Sequence, residues 1–204
     1  MGLSFIALQN AVASASSILV FGDSLSAAYG IRPEQGWVPL LVQRLHSQGY
    51  GYQVVNASVS GETSSGGLER LPRAQQLHTP EIVILELGAN DGLRGLPVNA
   101  LRENLVRMVQ LAQAGGARVL LLGIRIPPNY GPRYTEEFAR VFPEVAQQYH
   151  LPLVPFLMDK VALNPALMQE DGLHPNAAGE PLVLDTLWPY LKPLLKKNPP
   201  NGGH

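Results

Sequence analysis

Short apolar segments alternate with longer amphipathic segments along the 204 residues of the chain. Two of the short segments, IVILEL at residues 82–87 and VLLLGI at residues 119–124, are almost continuously apolar. Such runs are typical of parallel β-strands that helices cover on both faces of a sheet. Pro155 has no N–H to donate to a neighbouring strand, so the last strand is predicted at an edge. The predicted strands are residues 18–21, 52–56, 82–87, 119–124 and 153–156.

Three segments between the strands repeat apolar residues every three or four positions, which predicts amphipathic helices. Thr135 precedes two glutamates and is predicted to open the third helix. A fourth helix is predicted over residues 180–195, bent at Pro189 and Pro193. This alternation predicts an α/β fold with a parallel sheet between helices on both faces. The apolar faces of the first three helices are Trp37, Leu40, Leu41 and Leu45; Leu101, Leu105, Met108 and Ala112; and Phe138, Val141, Phe142 and Val145.

The polar segments that follow the predicted strands contain residues suited to acyl transfer. GDS at residues 22–24 follows the first strand, Gly61 lies after the second, and GAND at residues 88–91 follows the third. A fourth segment, which contains Asp171 and His174, precedes the last helix. Loops at the carboxyl ends of parallel strands line up along one edge, where ligands bind. Each segment alone could be an ordinary turn, but together they supply every group that serine acyl transfer requires.

Ser24 is the candidate nucleophile, because a hydroxyl beside a general base can attack an acyl carbon. The same serine could cap a helix, and we expect Ser24 to begin one, which makes the two roles compatible and directs the helix dipole at the oxyanion. His174 is the candidate base, and Asp171, three residues earlier, is the candidate acid that holds the imidazole in the required tautomer. The backbone N–H groups of Ser24 and Gly61 and the side-chain amide of Asn90 are the candidate oxyanion donors.

Several neighbouring residues have alternative interpretations. Asp91 is a second candidate for the acid, although its place next to Asn90 favours a role in securing the loop. Asp23 is predicted to accept hydrogen bonds from the backbone of its turn, and Glu86, within an apolar strand, is predicted to be structural or to support the site. GDSLS lacks the second glycine of the G-x-S-x-G elbow, and GETSSGG lacks the lysine of a phosphate-binding loop. A flavodoxin-like binding module is an alternative on fold alone.

The composition limits the partners and cofactors to be expected. Hydrophobic residues make up 46% of the chain and charged residues 15%, which suits one well-packed domain. The net charge is -1 and no basic cluster lies within the predicted domain, so nucleic acid is not an expected partner. The absence of cysteine excludes thiol nucleophiles, disulfides and thiolate metal sites. We expect a small-molecule substrate, no metal, no cofactor and a monomer.

The two ends of the chain are expected to lie outside the domain, which is predicted over residues 17–195. Residues 1–16 contain a short apolar stretch and then Ala13-Ser14-Ala15, a pattern typical of signal-peptidase sites, although no Lys or Arg precedes it. We interpret this segment as a signal peptide or a disordered leader, and residues 196–204 as a disordered tail. No other apolar run approaches the roughly 18 residues of a membrane span. A soluble, periplasmic or secreted protein is therefore expected.

Four sequence blocks resemble, in order, those of the SGNH or GDSL hydrolases: GDSLS with Ser24, SGET with Gly61, GAND with Asn90 and DGLHP with His174. The resemblance implies a three-layer α/β/α sandwich with a mostly parallel five-stranded sheet, as in flavodoxin-like folds. It also implies that Ser24, Asp171 and His174 are catalytic and that Ser24, Gly61 and Asn90 form the oxyanion hole. VNASVSGETSSGGLERLP, LELGANDGLRGLP and IPPNYGPRY are similar to a bacterial subgroup of periplasmic acyl-CoA thioesterases that are also arylesterases and lysophospholipases.

The resemblance further implies a mobile loop after the GAND block, which here is GLRGLP at residues 92–97. Its two glycines are consistent with hinge motion, and we expect Leu93 and Leu96 to close over an acyl chain. Pro127 and Tyr130 are predicted to line the same groove, with a rigid connector to the next helix as the alternative for their segment.

The expected activity is therefore hydrolysis of esters and thioesters through an acyl-enzyme on Ser24. A carbohydrate acetyl-esterase of the same family is the nearest alternative. That activity would favour tryptophan in the loops around the site for stacking on sugars, whereas Trp37 and Trp188 both fall in predicted helices.

Overall fold

A central parallel sheet organises the fold, which a computed structural model describes for residues 16–197. Its strands are β1 Ser17–Gly22, β2 Gln53–Asn56, β3 Ile82–Glu86, β4 Arg118–Leu122 and β5 Leu153–Val154. The strand order is β2-β1-β3-β4-β5, and each neighbouring pair is parallel. The predicted α/β fold with a five-stranded sheet is confirmed, and β5 lies at an edge as Pro155 indicated.

Helices cover both faces of this sheet. They are α1 Trp37–Ser47, α2 Ser64–His78, α3 Ala89–Leu93, α4 Val98–Ala114, α5 Pro132–Gln148 and α6 Glu180–Leu191. Residues of α1 and α6 pack with Ile18 and Val20 on one face, whereas α2, α4 and α5 pack with Leu19 and Phe21 on the other. Because successive strand residues point to opposite faces, β1 contributes to both cores. The result is the three-layer α/β/α sandwich.

Element ends differ from the predicted ones where proline or a turn interrupts an apolar run. β5 stops at Val154, because Pro155 cannot continue the ladder. α5 begins at Pro132 rather than Thr135, since proline at the first helical position loses no intrahelical hydrogen bond. The fourth predicted helix is wrong beyond Leu191, where α6 ends and a 3-10 turn at Lys192–Leu194 follows.

The position of β1 between β2 and β3 creates the site. The chain leaves β1 toward β2 and later returns to form β3 on the opposite side of β1. A crevice opens at the carboxyl ends of two strands related in this way. Ser24 follows β1 and Asn90 follows β3, so both lie at this crevice.

The predicted leader (1–16) and tail (196–204) lie almost wholly outside the described residues. Across residues 16–197, no helix combines the length and the apolar character that crossing a membrane would require.

Candidate active site

The segment after β1 places Ser24 in a series of turns. The N–H of Ala27 donates to Asp23 O at 3.0 Å and that of Tyr29 to Ser24 O at 3.4 Å. A helix does not form, because Ala28 has φ 57° and Gly30 has φ 73°, both in the left-handed region. The prediction that Ser24 opens a helix is therefore wrong, and its N–H gains no helix dipole.

Ser24, His174 and Asp171 form a continuous hydrogen-bonded chain. His174 Nε2 lies 2.9 Å from Ser24 Oγ, and His174 Nδ1 lies 2.6 Å from Asp171 Oδ2. The other carboxylate oxygen, Asp171 Oδ1, accepts the N–H groups of Leu173 at 2.9 Å and of His174 at 3.0 Å. Partial burial raises the pKa of Asp171, but these backbone donors and the His174 ring lower it by a larger amount. The pKa of Asp171 is therefore below its ordinary value.

The loop that contains His174 is held by hydrogen bonds on either side of it. The N–H of Gln169 donates to His174 O at 2.8 Å, and Gln169 Nε2 donates to Tyr29 O at 2.7 Å and Pro175 O at 2.9 Å. The Tyr29 ring packs against the imidazole with 4.7 Å between the ring centroids. These contacts connect the loop directly to the turns that follow Ser24.

Asn90 lies in the short helix α3 rather than in the loop that GAND suggested. Its Nδ2 donates to Asp23 Oδ2 at 3.1 Å. The alternative triad acid, Asp91, does not bond His174. Instead, Asp91 accepts the N–H of Ser64 at 2.8 Å and the hydroxyl of Ser64 at 2.5 Å, which ties the start of α2 to α3. Asp91 therefore secures the loop, as its place in the sequence favoured.

Gly61 lies in the exposed segment between β2 and α2, with φ 81°. Its carbonyl oxygen accepts a hydrogen bond of 2.8 Å from Arg94 Nη2. A Cβ at this position would have Arg94 Nη2 as its nearest neighbour, at 3.8 Å. The positive φ, rather than a shortage of space, is what favours glycine here.

Two buried carboxyl groups, Asp23 and Glu86, lie next to Ser24, and the sequence did not show that they interact. Asp23 and Glu86 have no exposed surface. Glu86 Oε2 accepts the hydroxyl of Ser26 at 2.8 Å and the N–H of Asp23 at 3.2 Å, while Glu86 Oε1 has no partner within the described residues. Burial raises the pKa of Asp23 to about 6. Burial is also the main cause that raises the pKa of Glu86 well above its ordinary value, and the negative charge of Asp23 is the second cause. The available signal was an acid inside the apolar strand IVILEL.

A cavity of about 440 Å³ opens beside Ser24, Asn90 and His174. Of the four predicted substrate contacts, Leu93 and Pro127 line it, whereas Leu96 and Tyr130 do not. Most of the remaining lining is apolar and comes from the segments after β4 and β5, which the sequence did not single out: Ile124, Ile126, Phe156, Leu157, Met158, Ala162 and Leu163.

The segment 92–97 has a fixed arrangement of hydrogen bonds in the structure. The hydroxyl of Tyr130 donates to Leu93 O at 2.8 Å, and that of Tyr134 donates to Leu96 O at 2.7 Å. Gly92 is buried, and a Cβ there would lie 2.5 Å from Ile126 Cγ2. Gly92 is therefore required by close packing. The mobility of this loop stays a prediction.

Known proteins resemble this chain over most of its length. A sequence profile of the GDSL-like Lipase/Acylhydrolase family matches residues 20–181. The chain is 54% identical over 183 residues to Esterase TesA of Pseudomonas aeruginosa, which covers 90% of this chain and 91% of that protein. It is 42% identical over 193 residues to Thioesterase 1/protease 1/lysophospholipase L1 of Escherichia coli strain K12, which covers 95% of this chain and 91% of that protein.

A solved structure is also similar in fold. The psychrotrophic esterase EstA from Pseudoalteromonas sp., in a structure inhibited by monoethylphosphonate, has a TM-score of 0.84 and 43% sequence identity. The match covers 87% of this chain and 97% of that one. These matches confirm the resemblance carried by the four sequence blocks. The chain belongs to the GDSL-like lipase/acylhydrolase family.

Proposed function

We propose that the chain is a serine hydrolase that cleaves carboxylic esters and thioesters through an acyl-enzyme on Ser24. The observation that carries the proposal is the hydrogen-bonded chain from Asp171 through His174 to Ser24 beside an apolar cavity. A hydroxyl is a weak nucleophile at neutral pH and needs a base within hydrogen-bond reach. His174 Nε2, 2.9 Å from Ser24 Oγ, meets that requirement.

In the first step, Ser24 Oγ attacks the acyl carbon and its proton passes to His174 Nε2. Asp171 accepts the Nδ1–H of His174, which fixes the tautomer and stabilises the imidazolium. When the tetrahedral intermediate collapses, the proton passes from His174 to the leaving alcohol or thiol. Water then repeats the sequence on the acyl-enzyme, which releases the carboxylic acid and restores Ser24.

Three donors are proposed to stabilise the negatively charged oxygen of the intermediate. They are the backbone N–H groups of Ser24 and Gly61 and the Nδ2 of Asn90. Within residues 16–197, neither backbone N–H donates to another protein group, so both are available to a substrate. Asn90 is proposed to use the second hydrogen of its Nδ2, because Asp23 accepts the first.

The proposed substrate is a small molecule with an apolar acyl chain. The apolar lining supports this choice, because burying a methylene group contributes about 0.8 kcal/mol. Arylesters, acyl-CoA thioesters and lysophospholipids all react through the same acyl-enzyme, and relatives carry the names esterase, arylesterase, thioesterase and lysophospholipase. Trp37 is fully buried and neither it nor Trp188 lines the cavity, so nothing favours the carbohydrate acetyl-esterase. Family membership likewise gives no support to a flavodoxin-like binding module.

A serine-directed fluorophosphonate tests the nucleophile. We expect one equivalent of label on Ser24, detected by mass spectrometry of peptides, and the loss of label and ester hydrolysis in Ser24→Ala. Ser65→Ala is the matched control, because Ser65 is exposed on α2. Labelling of active protein at another residue, or full activity of Ser24→Ala, would refute the proposal.

A second experiment defines the acyl group. p-Nitrophenyl esters from acetyl to palmitoyl, compared with the corresponding acyl-CoA thioesters, measure kcat/KM as a function of chain length. The cavity predicts a rise from acetyl to medium chains, and a preference for acetyl would exclude the proposed acyl groove.

The chain is further proposed to be a monomer that acts in the periplasm or outside the cell. The support for this location is the signal-like pattern that ends at Ala15. N-terminal sequencing of protein recovered from outside the cytoplasm would locate the cleavage, and recovery only from the cytoplasm would contradict the proposal.

A further inference from the structure

The side chain of Asn90 raises a question of orientation. An asparagine amide can present either its oxygen or its nitrogen on a given side, and only the nitrogen can donate to a developing oxyanion. If the amide were turned over, its oxygen would lie where negative charge develops and would oppose it. The proposed function therefore needs a second group that fixes which end of the Asn90 amide faces Ser24.

Asp23 is placed to do this. Its Oδ2 lies 3.1 Å from Asn90 Nδ2, and this is the one hydrogen bond that the Asn90 side chain makes within residues 16–197. An ionised carboxylate only accepts hydrogen bonds, so it can face the NH₂ end of the amide but not the carbonyl end. The two N–H bonds of an amide nitrogen diverge in one plane. With one N–H directed at Asp23, the other points away from Asp23, and Asn90 lines the cavity together with Ser24.

Asp23 is itself held through both its side chain and its backbone. Its Oδ1 accepts the N–H of Leu25 at 3.0 Å, and its own N–H donates to Glu86 Oε2 at 3.2 Å. Glu86 is fixed in turn by the hydroxyl of Ser26 at 2.8 Å. Gly22 leaves room for this arrangement, since a Cβ there would lie 2.6 Å from Glu86 Oε2. Asp23 is therefore a rigid acceptor.

We propose that Asp23 is a positioning residue that orients the Asn90 amide so that its second N–H faces the oxyanion site. This inference rests on the proposed function, because it assigns Asp23 a role in that same reaction. Asp23 touches neither the substrate nor the reacting atoms, and it acts through Asn90.

The ionisation of the surrounding groups is consistent with this role. Burial raises the pKa of Asp23 to about 6, while hydrogen bonds and the charge of His174 limit the rise and the charge of Asp91 adds to it. Burial and the charge of Asp23 raise the pKa of Glu86 well above its ordinary value. At pH 7, which is above the pKa of Asp23, most of the Asp23 carboxyl is ionised and can accept the hydrogen bond from Asn90.

A double-mutant cycle between Asp23 and Asn90 tests the inference on the full chain. We expect Asp23→Asn to lower kcat for a p-nitrophenyl ester about 100-fold, with KM changed by less than about threefold, because the new amide turns the Asn90 amide over. In the Asn90→Ala background, the same substitution should change kcat by less than about threefold, since the group it orients is gone.

Two further variants separate positioning from folding. In Asp23→Ser, the serine hydroxyl can still accept the N–H of Leu25 but is too short to reach Asn90. A fall in kcat of about tenfold is therefore expected, and this variant tests the inference even if Asp23→Asn does not fold. Glu180→Gln is the matched control, because it removes a buried carboxyl that accepts the N–H of Trp37 and makes no hydrogen bond to Asp23 or Asn90. Its kcat and KM should stay within about twofold of the parent's. Thermal unfolding verifies that each variant is folded before kinetics are measured.

The outcomes distinguish this inference from the proposed function. Equal losses from Asp23→Asn in the presence and absence of Asn90, or unchanged kcat in both Asp23 variants, would overturn the positioning role while labelling of Ser24 left the serine hydrolase intact. The inference is supported if Asn90→Ala lowers the activity and adding Asp23→Asn to that variant lowers it no further. Absence of a label on Ser24 in the active parent protein would overturn both.

Discussion

Asp171 and Asp23 belong to two regions next to Ser24, and the two regions shift the pKa of an aspartate side chain in opposite directions. Asp171 is in an exposed loop, where backbone N–H groups and His174 hold its pKa below the ordinary value. Asp23 is fully buried, and burial raises its pKa to about 6. Burial disfavours the charged form of a carboxyl group, whereas donors favour it. The Asp171 carboxylate is thus held by backbone N–H groups of its own loop, whereas Asp23 is held in part by residues distant in the sequence, Glu86 and Asn90.

The two regions also affect stability with opposite dependence on pH. Asp171 has a lowered pKa, so its carboxylate stabilises the folded state at pH values above 3.8, the ordinary pKa of aspartate. This contribution is lost as the pH falls through the folded-state pKa. Asp23, Glu86 and Glu180 have raised pKa values, so the folded state holds their protons where the unfolded state releases them. Their contribution is full at low pH and declines as the pH rises toward each folded-state pKa. Substitution of the exposed acid Asp171 should therefore change mainly the activity. Substitution of a buried acid should change mainly the pH dependence of stability.

The largest expected effect is on the exposed side. Asp171→Asn should lower kcat about 10,000-fold, because an amide no longer fixes the required tautomer of His174. The free energy of unfolding at pH 7 should change by less than about 1 kcal/mol, since exposed charge pairs contribute little. Steady-state kinetics and urea unfolding measure the two quantities. Asp185→Asn, which removes a half-buried acid paired with Arg44, is the control and should retain its kcat.

The second prediction concerns the buried side. Glu86→Gln should reduce the decline of unfolding free energy as the pH rises above 4.5, by about 1 kcal/mol per pH unit, because glutamine has no proton to lose on unfolding. Urea unfolding at several pH values measures the slope. The amide oxygen can still accept from Asp23 and Ser26, so the protein is expected to fold. An unchanged slope would mean that Glu86 is ionised in the folded protein, and the contrast with Asp171 would fail.

The smallest expected effect lies at a third carboxyl, which tests whether burial alone causes the pattern. Glu180 is buried and its Oε2 accepts the N–H of Trp37 at 2.8 Å; burial raises its pKa to about 7. Glu180→Gln should flatten the pH dependence of stability between pH 4.5 and 7 and leave it unchanged above about pH 7.5. The same urea series measures this change. A change confined to alkaline pH would contradict the assignment.

The architecture was predictable because strands covered on both faces leave a strong apolar signal. The helix α2 was not, since Gly66, Gly67 and Pro72 interrupt any apolar period. Gly67 is explained by tertiary packing: a Cβ there would lie 2.3 Å from Leu87 Cδ1. A glycine that brings a helix close to a sheet cannot be distinguished in the sequence from one that ends a helix.

The candidate site was predictable in its order and in the spacing of Asp171 and His174, which their hydrogen bond requires. The turns after Ser24 were not, because the left-handed conformation of Ala28 has no signal in an alanine. The roles of Asp23 and Glu86 were hidden for a similar reason. Burial and partners from distant segments, rather than residue type, determine whether a carboxyl holds a charge or a proton.

The hydrogen bond between Ser24 and His174 joins residues 150 positions apart. A chain synthesised from its N-terminus therefore contains the proposed nucleophile long before the base that activates it exists. Truncated products that lack His174 would carry the Ser24 hydroxyl without the base that activates it. Recovery of activity during refolding would report the docking of the C-terminal loop rather than the formation of the sheet. The protein would become reactive only where its folding is completed.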